Sequence, residues 1–303
     1  MNATVTAARN PEMLEKIEKG QGFIAALDQS GGSTPGALKA YGIGEDSFSN
    51  DEEMFGLIHE MRSRIITSPC FGSGKVIGAI LFERTMDGEA GGKPVPQLLW
   101  ERGVVPFLKV DKGLADEAEG VQLMKPNPDL EALLDRANAK GIFGTKMRSV
   151  IKLANPAGIA TAVAQQFDEA KRILAKGLMP IIEPEVSIKS PERDAADRIM
   201  LTEILKQLDA LPEGERVMLK LTIPAEPGLF QPLVEHPEVL RVVALSGGFT
   251  REEACRELAK NPGMIASFSR ALLSDLRADQ SDEEFDRTLG TAIDEIHSAS
   301  VAA

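Results

Sequence analysis

Eight short apolar runs recur along this 303-residue chain, and most are followed by a segment of helical period. They fall at 22–28, 76–83, 104–111, 142–150, 179–188, 216–223, 239–246 and 264–269. A continuous apolar run of this length reads as a strand buried on both faces. Between them, "DEEMFGLIHEMRSRIIT" places Met54, Leu57, Ile58, Met61 and Ile65 at a three-to-four spacing. "GIATAVAQQFDEAKRILAKG" ends on Gly177, which suits a helix C-cap. "PERDAADRIMLTEILKQLDAL" and "TREEACRELAK" follow later strands, and Thr250 with Glu253 forms a capping-box start. Buried strands joined by helices must be parallel, with the helices as crossovers. Eight such units predict a closed (β/α)8 barrel, and an open doubly wound sheet is the competing arrangement. The chain suits one barrel domain over 1–303, preceded by an N-terminal helix and ending in a helix over about "SDEEFDRTLGTAIDEIHS" with a frayed tail after Ser298. The Gly- and Ser-rich segments 29–50 and 87–97 read as long loops.

Composition narrows the classes of function. A net charge of −12, with the basic residues scattered, argues against nucleic acid as a partner. No apolar run is long enough to span a membrane, and the first twenty residues lack the apolar segment of a signal peptide, so the expected location is the cytoplasm. Two cysteines, Cys70 and Cys255, and three distant histidines, His59, His236 and His297, offer no metal-ligand spacing. No metal or other cofactor is expected. "GSGKVIG" (72–78) has the wrong spacing for a phosphate loop and precedes a strand rather than following one.

The strands carry charges where a core should be apolar. In "RVMLKLTIP", Lys220 shares a face with Met218 and Thr222, while Val217, Leu219 and Leu221 share the other. An isolated buried ammonium costs several kcal/mol unless it is paired or loses its proton. The same alternation turns inward Asp28 at the end of the first strand, Lys109 and Asp111 on the third, Lys146 and Arg148 on the fourth, and Glu183 and Glu185 on the fifth. Any one of these reads as an ordinary strand-end charge. Together they gather at the C-terminal face, where barrel enzymes carry their chemistry. The signs balance, four cations against four anions. After strands seven and eight, "ALSGG" and "SFSRAL" place small residues before helix N-termini, and Arg270 nearby, as a phosphate site would require. A buried lysine beside another cation deprotonates more easily and can attack a ketone to form an imine. Carboxylates such as Glu183, Glu185 and Asp28 can then move the protons. A structural network of ion pairs would use the same residues.

"ALDQSGGS", "FLKVDKG", "TKMRSVIKL", "PIIEPEV", "VMLKLTIP", "ALSGG" and "SFSRAL" occur in an order that resembles class I fructose-bisphosphate aldolase, most closely the shorter bacterial enzymes, over roughly residues 10–295. The resemblance implies a metal-free (β/α)8 lyase that cleaves fructose 1,6-bisphosphate reversibly in glycolysis and gluconeogenesis. It implies Lys220 as the Schiff-base lysine and Glu183 as the acid/base group, with Glu185 its neighbour. It implies Asp28 at the C4 hydroxyl, Lys146 beside the reacting carbons, and Arg148 and Lys109 as substrate-binding cations. Ser246, Gly247, Ser269 and Arg270 resemble the C1-phosphate site, and Ser33 a contact to the other phosphate. The chain departs from the animal enzymes in having Asp28-Gln29-Ser30 for Asp-Glu-Ser and in lacking a C-terminal tyrosine, Tyr41 being its single tyrosine. The expected partner is a phosphorylated sugar, and a homo-oligomer is left open. The rival readings are a lysine aldolase for another phosphorylated ketose, a metal-dependent aldolase, which EDTA would silence, and an inert scaffold barrel.

Overall fold

The computed structural model describes residues 10–302. The expectation about a signal peptide falls partly on residues 1–9, outside the described residues.

Eight parallel strands form the central sheet: β1 (Phe23–Leu27), β2 (Val76–Leu81), β3 (Val105–Lys109), β4 (Gly144–Ile151), β5 (Met179–Val186), β6 (Val217–Thr222), β7 (Val239–Leu245) and β8 (Ile265–Ala266). They pair in sequence order. The sheet curls until β8 meets β1, where Ala26 N–H donates to the Phe268 carbonyl at 3.1 Å. This is a (β/α)8 barrel, as the alternation of runs predicts, and each strand lies within two or three residues of its expected span. The competing open sheet is excluded by that contact. Gly144 opens β4 because a Cβ there would sit 2.3 Å from the Met179 carbonyl oxygen and 2.9 Å from the Phe107 ring.

Helices ring the sheet: α1 (Pro11–Lys19), α2 (Thr34–Tyr41), α3 (Asp51–Thr67), α4 (Val95–Glu101), α5 (Leu130–Ala139), α6 (Pro156–Ala175), α7 (Arg193–Leu208), α8 (Arg251–Leu258) and α9 (Asp282–Ser300), with single-turn helices between some of them. The odd-numbered side chains of β1 and β6, such as Leu27, Leu219 and Leu221, pack outward against Ile58, Ile65, Phe167 and Ile204 of the helices. The opposite faces turn in. Ile24, Val105, Phe107, Ile181 and Met218 fill the lower barrel, and α1 closes that end with Met13 and Ile17. Asn10 starts α1 by accepting from the N–H groups of Glu12 and Met13. Burying Met13 and Ile17 stabilises the plug by roughly 1.5–3 kcal/mol each.

Three expectations are corrected. Segment 29–50 contains α2, with Leu38 and Tyr41 buried, although its Gly, Ser and Pro content reads as loop. Segment 87–97 holds a small hairpin, Glu89–Ala90 with Lys93–Pro94, and the start of α4. The tail after Ser298 is held in place, because α9 continues to Ser300, whose hydroxyl accepts from Ala266 N–H at 3.0 Å.

Candidate active site

The inward charges converge at the C-terminal end of the barrel. Parallel registration sets Met218 beside Ile181. Two residues further along each strand, Lys220 and Glu183 are therefore level neighbours. Lys220 Nζ lies 3.2 Å from Glu183 Oε1. Lys146 Nζ, from β4, lies 3.0 Å from Glu183 Oε2 and 2.7 Å from Asp28 Oδ2. All four side chains are buried, the most accessible being Asp28 at 9 %. Two ammonium groups and two carboxylates cancel, which is what makes their burial tolerable.

The electrostatics sort these groups. Burial alone would raise the Asp28 carboxyl, but Lys146 and Lys220 outweigh it and hold Asp28 well below the usual carboxylate range. Burial alone would pull Lys146 down, but Asp28 and Glu183 hold it well above the ordinary lysine range. Lys146 is thus a fixed cation and Asp28 a fixed anion. Glu183 differs: no donor is aligned for a hydrogen bond to its Oε2, although Lys146 is near.

A second tier sits nearer the mouth. Lys109 Nζ pairs with Asp111 Oδ1 at 2.9 Å and donates to its carbonyl at 3.1 Å. Arg148 pairs with Glu185 at 3.0 Å and is more open to solvent. These four cations and four anions are the set that strand alternation predicts.

The loops after β7 and β8 meet beside this cluster. Gly247 has φ +62° and Gly248 φ +118°, which a side chain would resist. A Cβ on Gly247 would come within 2.6 Å of Ile188. The Arg270 guanidinium lies 3.4 Å from where a Gly248 Cβ would stand, so Ser246, Gly247 and Arg270 are brought together. Their amides are the available donors: Gly247 and Gly248 N–H have no partner among the described residues. At the N-terminus of α8 the expected capping box forms, with Thr250 and Glu253 satisfying each other's N–H, so the free N–H groups that its small residues also suggested are fewer. The Glu253 carboxylate would repel an anion, which leaves the glycine loop and Arg270 as the groups there that suit one. Ser33 is less central: it is exposed, and its hydroxyl accepts from Ser30 N–H and donates to the Ser30 carbonyl.

The structure adds residues that the sequence reading missed. Gln166, fully buried on α6, accepts from Glu183 N–H at 2.8 Å and donates to Ser149 Oγ at 2.6 Å. It fixes the backbone that carries Glu183. Arg62, fully buried on α3, donates to Thr85 Oγ1 at 2.9 Å and to Gln29. Each stands on the apolar face of its helix, beside Phe167 and Val163 or Met61 and Ile65. A polar residue in a buried stripe is the signal that would have found both. Among the described residues, no group of three or more His, Cys, Asp or Glu side chains is placed to hold a metal ion, and no helix is long and apolar enough to cross a membrane.

Comparison with known proteins agrees with this fold. The barrel superposes on fructose-bisphosphate aldolase from Plasmodium falciparum, solved in complex with TRAP and a small molecule inhibitor, with a TM-score of 0.79 at 20 % identity over 100 % of this chain and 96 % of that one. Fructose-bisphosphate aldolase from Slackia heliotrinireducens matches with a TM-score of 0.58 at 15 % identity, over 98 % of this chain and 88 % of that one. Cgl0159 from Corynebacterium glutamicum matches at 0.54 and 14 %, over 97 % and 93 %. At these identities the likeness is one of fold. The family model for fructose-bisphosphate aldolase class-I matches residues 13–216, stopping just short of the strand that carries Lys220. That span is more than half of the chain and includes Asp28, Lys109, Lys146, Arg148, Glu183 and Glu185, so the chain belongs to the class-I fructose-bisphosphate aldolase family of carbon–carbon lyases.

Proposed function

We propose that this protein cleaves fructose 1,6-bisphosphate reversibly to dihydroxyacetone phosphate and glyceraldehyde 3-phosphate, through an imine on Lys220 and without a metal. The observation that carries the reading is Glu183, whose two oxygens face two lysines, with Oε2 lacking an aligned donor. Lys220 passes its proton to Glu183, and its neutral amine attacks the C2 ketone. Glu183 returns a proton to the departing hydroxyl, water leaves, and an iminium forms. The iminium then accepts the electrons of the C3–C4 bond while a base removes the C4 hydroxyl proton.

Asp28 and Glu183 are both in reach of that role. Asp28 is a poor base because Lys146 stabilises its anion. It orients the C4 hydroxyl as an acceptor, and Glu183 takes the proton. Lys146 supplies fixed positive charge beside the oxygen that develops negative charge. Glyceraldehyde 3-phosphate leaves, the enamine is protonated at C3, and hydrolysis frees dihydroxyacetone phosphate and the Lys220 amine. Ser246, Gly247, Ser269 and Arg270 hold the C1 phosphate. Lys109 and Arg148 serve the rest of the sugar, with Glu185 steadying Arg148. Ser33 contacts the second phosphate once its turn to Ser30 opens. The cytoplasm, where glycolysis runs, is the setting that fits.

The test is borohydride reduction in the presence of dihydroxyacetone phosphate, followed by intact mass and peptide mapping. A single reduced adduct on Lys220 is expected. Folded, active protein with no adduct, or an adduct on another lysine, would overturn the assignment.

A further inference from the structure

Arg62 is a cation with no carboxylate of its own. It is fully buried on α3 and forms no ion pair among the described residues. Its guanidinium instead donates to the Thr85 hydroxyl, to the Gln29 carbonyl, and to Gln29 Oε1 at 3.2 Å. Burial draws its pKa down to about 10, with Asp28 opposing the fall, so it keeps its proton at neutral pH. A guanidinium has only donors. It therefore fixes which end of the Gln29 amide faces it: the oxygen points to Arg62 and the nitrogen points away. The nitrogen reaches Ser269 Oγ at 2.6 Å.

Ser269 now accepts on its oxygen and still has one proton to give. Its oxygen does not cap the helix it begins, and among the described residues no acceptor takes its proton. It stands next to Arg270 and so beside the Gly247–Gly248 turn. We propose that Gln29, oriented by Arg62, is a positioning residue that leaves the Ser269 hydroxyl proton free to be donated to an anionic phosphoryl group at the loops after β7 and β8. This deepens the proposed function and rests on its phosphate site. The neutral amide is the essential choice. A carboxylate at position 29 would accept from Ser269, turn its proton inward, and place a negative charge beside the anion.

The experiment measures inorganic phosphate binding by calorimetry and fructose 1,6-bisphosphate cleavage for wild type, Gln29→Met, Gln29→Glu, Ser269→Ala and the Gln29→Met/Ser269→Ala double variant, with thermal unfolding as the folding control. Expected is a weakening of phosphate binding by about tenfold for Gln29→Met and more for Gln29→Glu, the size of a lost charge-assisted hydrogen bond. The loss should fall on KM rather than kcat. In the Ser269→Ala background, Gln29→Met should add nothing further, because the two act through one hydroxyl. Additive losses, unchanged KM with reduced kcat, or no phosphate binding by folded wild type would each overturn the inference. If Gln29→Glu unfolds, the Gln29→Met and Ser269→Ala cycle decides alone. Absence of sugar cleavage with the phosphate pattern intact would sink the proposed reaction and leave the role of Gln29 standing.

Discussion

The two ends of the same barrel are built from opposite materials. At the N-terminal end, Ile24, Phe107, Ile181 and Met218 pack with Met13 and Ile17 of α1 into an apolar plug. One or two steps further along the same strands, the inward positions become Asp28, Lys109, Glu183 and Lys220. Stability comes from the lower layer, and the proposed reactivity from the upper one. The rigid plug is what permits the upper layer to hold four buried charges in a fixed arrangement, since their desolvation is offset only by close pairing.

Four substitutions break or sharpen this contrast. Lys220→Met should lower kcat by at least about a thousandfold, since the nucleophile has no substitute. The variant should stay folded and lose less stability than Lys146→Met does, because Glu183 keeps Lys146 as a partner. Retained activity with triose release in a coupled assay would remove Lys220 from the mechanism. Lys146→Met should damage both ends of the ledger of properties. It leaves Asp28 and Glu183 facing each other without their shared cation, costing about 3–5 kcal/mol of stability, and a concurrent Asp28→Asn should restore part of the stability but none of the activity. Chemical denaturation of the single and double variants reads this directly.

Phe107→Ala tests the lower layer. The ring is fully buried and edge-on to Phe143 at 5.5 Å, so its loss should cost about 3–5 kcal/mol. The kcat of the protein that remains folded should stay within about threefold of wild type, a span worth under about 1 kcal/mol. A large fall in kcat would show that the two layers are not separable.

The smallest expected change concerns Asp197, a carboxylate buried outside the site. Burial raises its pKa to about 6, against the opposing Ala225 N–H bond and Arg193. The folded state therefore holds the proton more tightly than the unfolded chain, whose pKa is near 3.8. This contribution to stability is greatest below about pH 4 and declines through about pH 4–6. Asp197→Asn keeps an acceptor for Ala225 N–H and removes the charge. It should stabilise the protein by about 2–3 kcal/mol above pH 6, and the gain should vanish below pH 4. A gain independent of pH would mean that the carboxylate is not the cause.

The upper layer was legible in the sequence because strand alternation is a local rule. Lys220, Glu183, Lys146 and Asp28 each declare their face from their immediate neighbours. The three-to-four spacing likewise places α3 over residues 51–67 without reference to the rest of the chain. What orients the site was not legible. Gln29, Arg62 and Ser269 meet across 240 positions of sequence, and Gln166 reaches Glu183 from a different layer. Such bonds depend on how helices seat against the sheet, which no local pattern encodes. The α8 N-terminus carried two readings: its small residues suggest free amides, whereas Thr250 and Glu253 mark a capping box, and the capping box forms, Glu253 accepting from Thr250 N–H and Thr250 from Glu253 N–H.

The contact that completes the barrel is also its thinnest. β8 has two residues in register with β7, and among the described residues the backbone bond from Ala26 to Phe268, just past β8, links this edge to β1, while Ser300 at the end of α9 steadies it from outside. Amide hydrogen exchange should therefore find this seam opening before the rest of the sheet. Because Ser269 and Arg270 follow it directly, that opening would unlatch the proposed phosphate grip while the lysines and carboxylates on β4, β5 and β6 stay in place. A product anchored by its phosphate could then depart through a local fluctuation, without the barrel as a whole having to loosen.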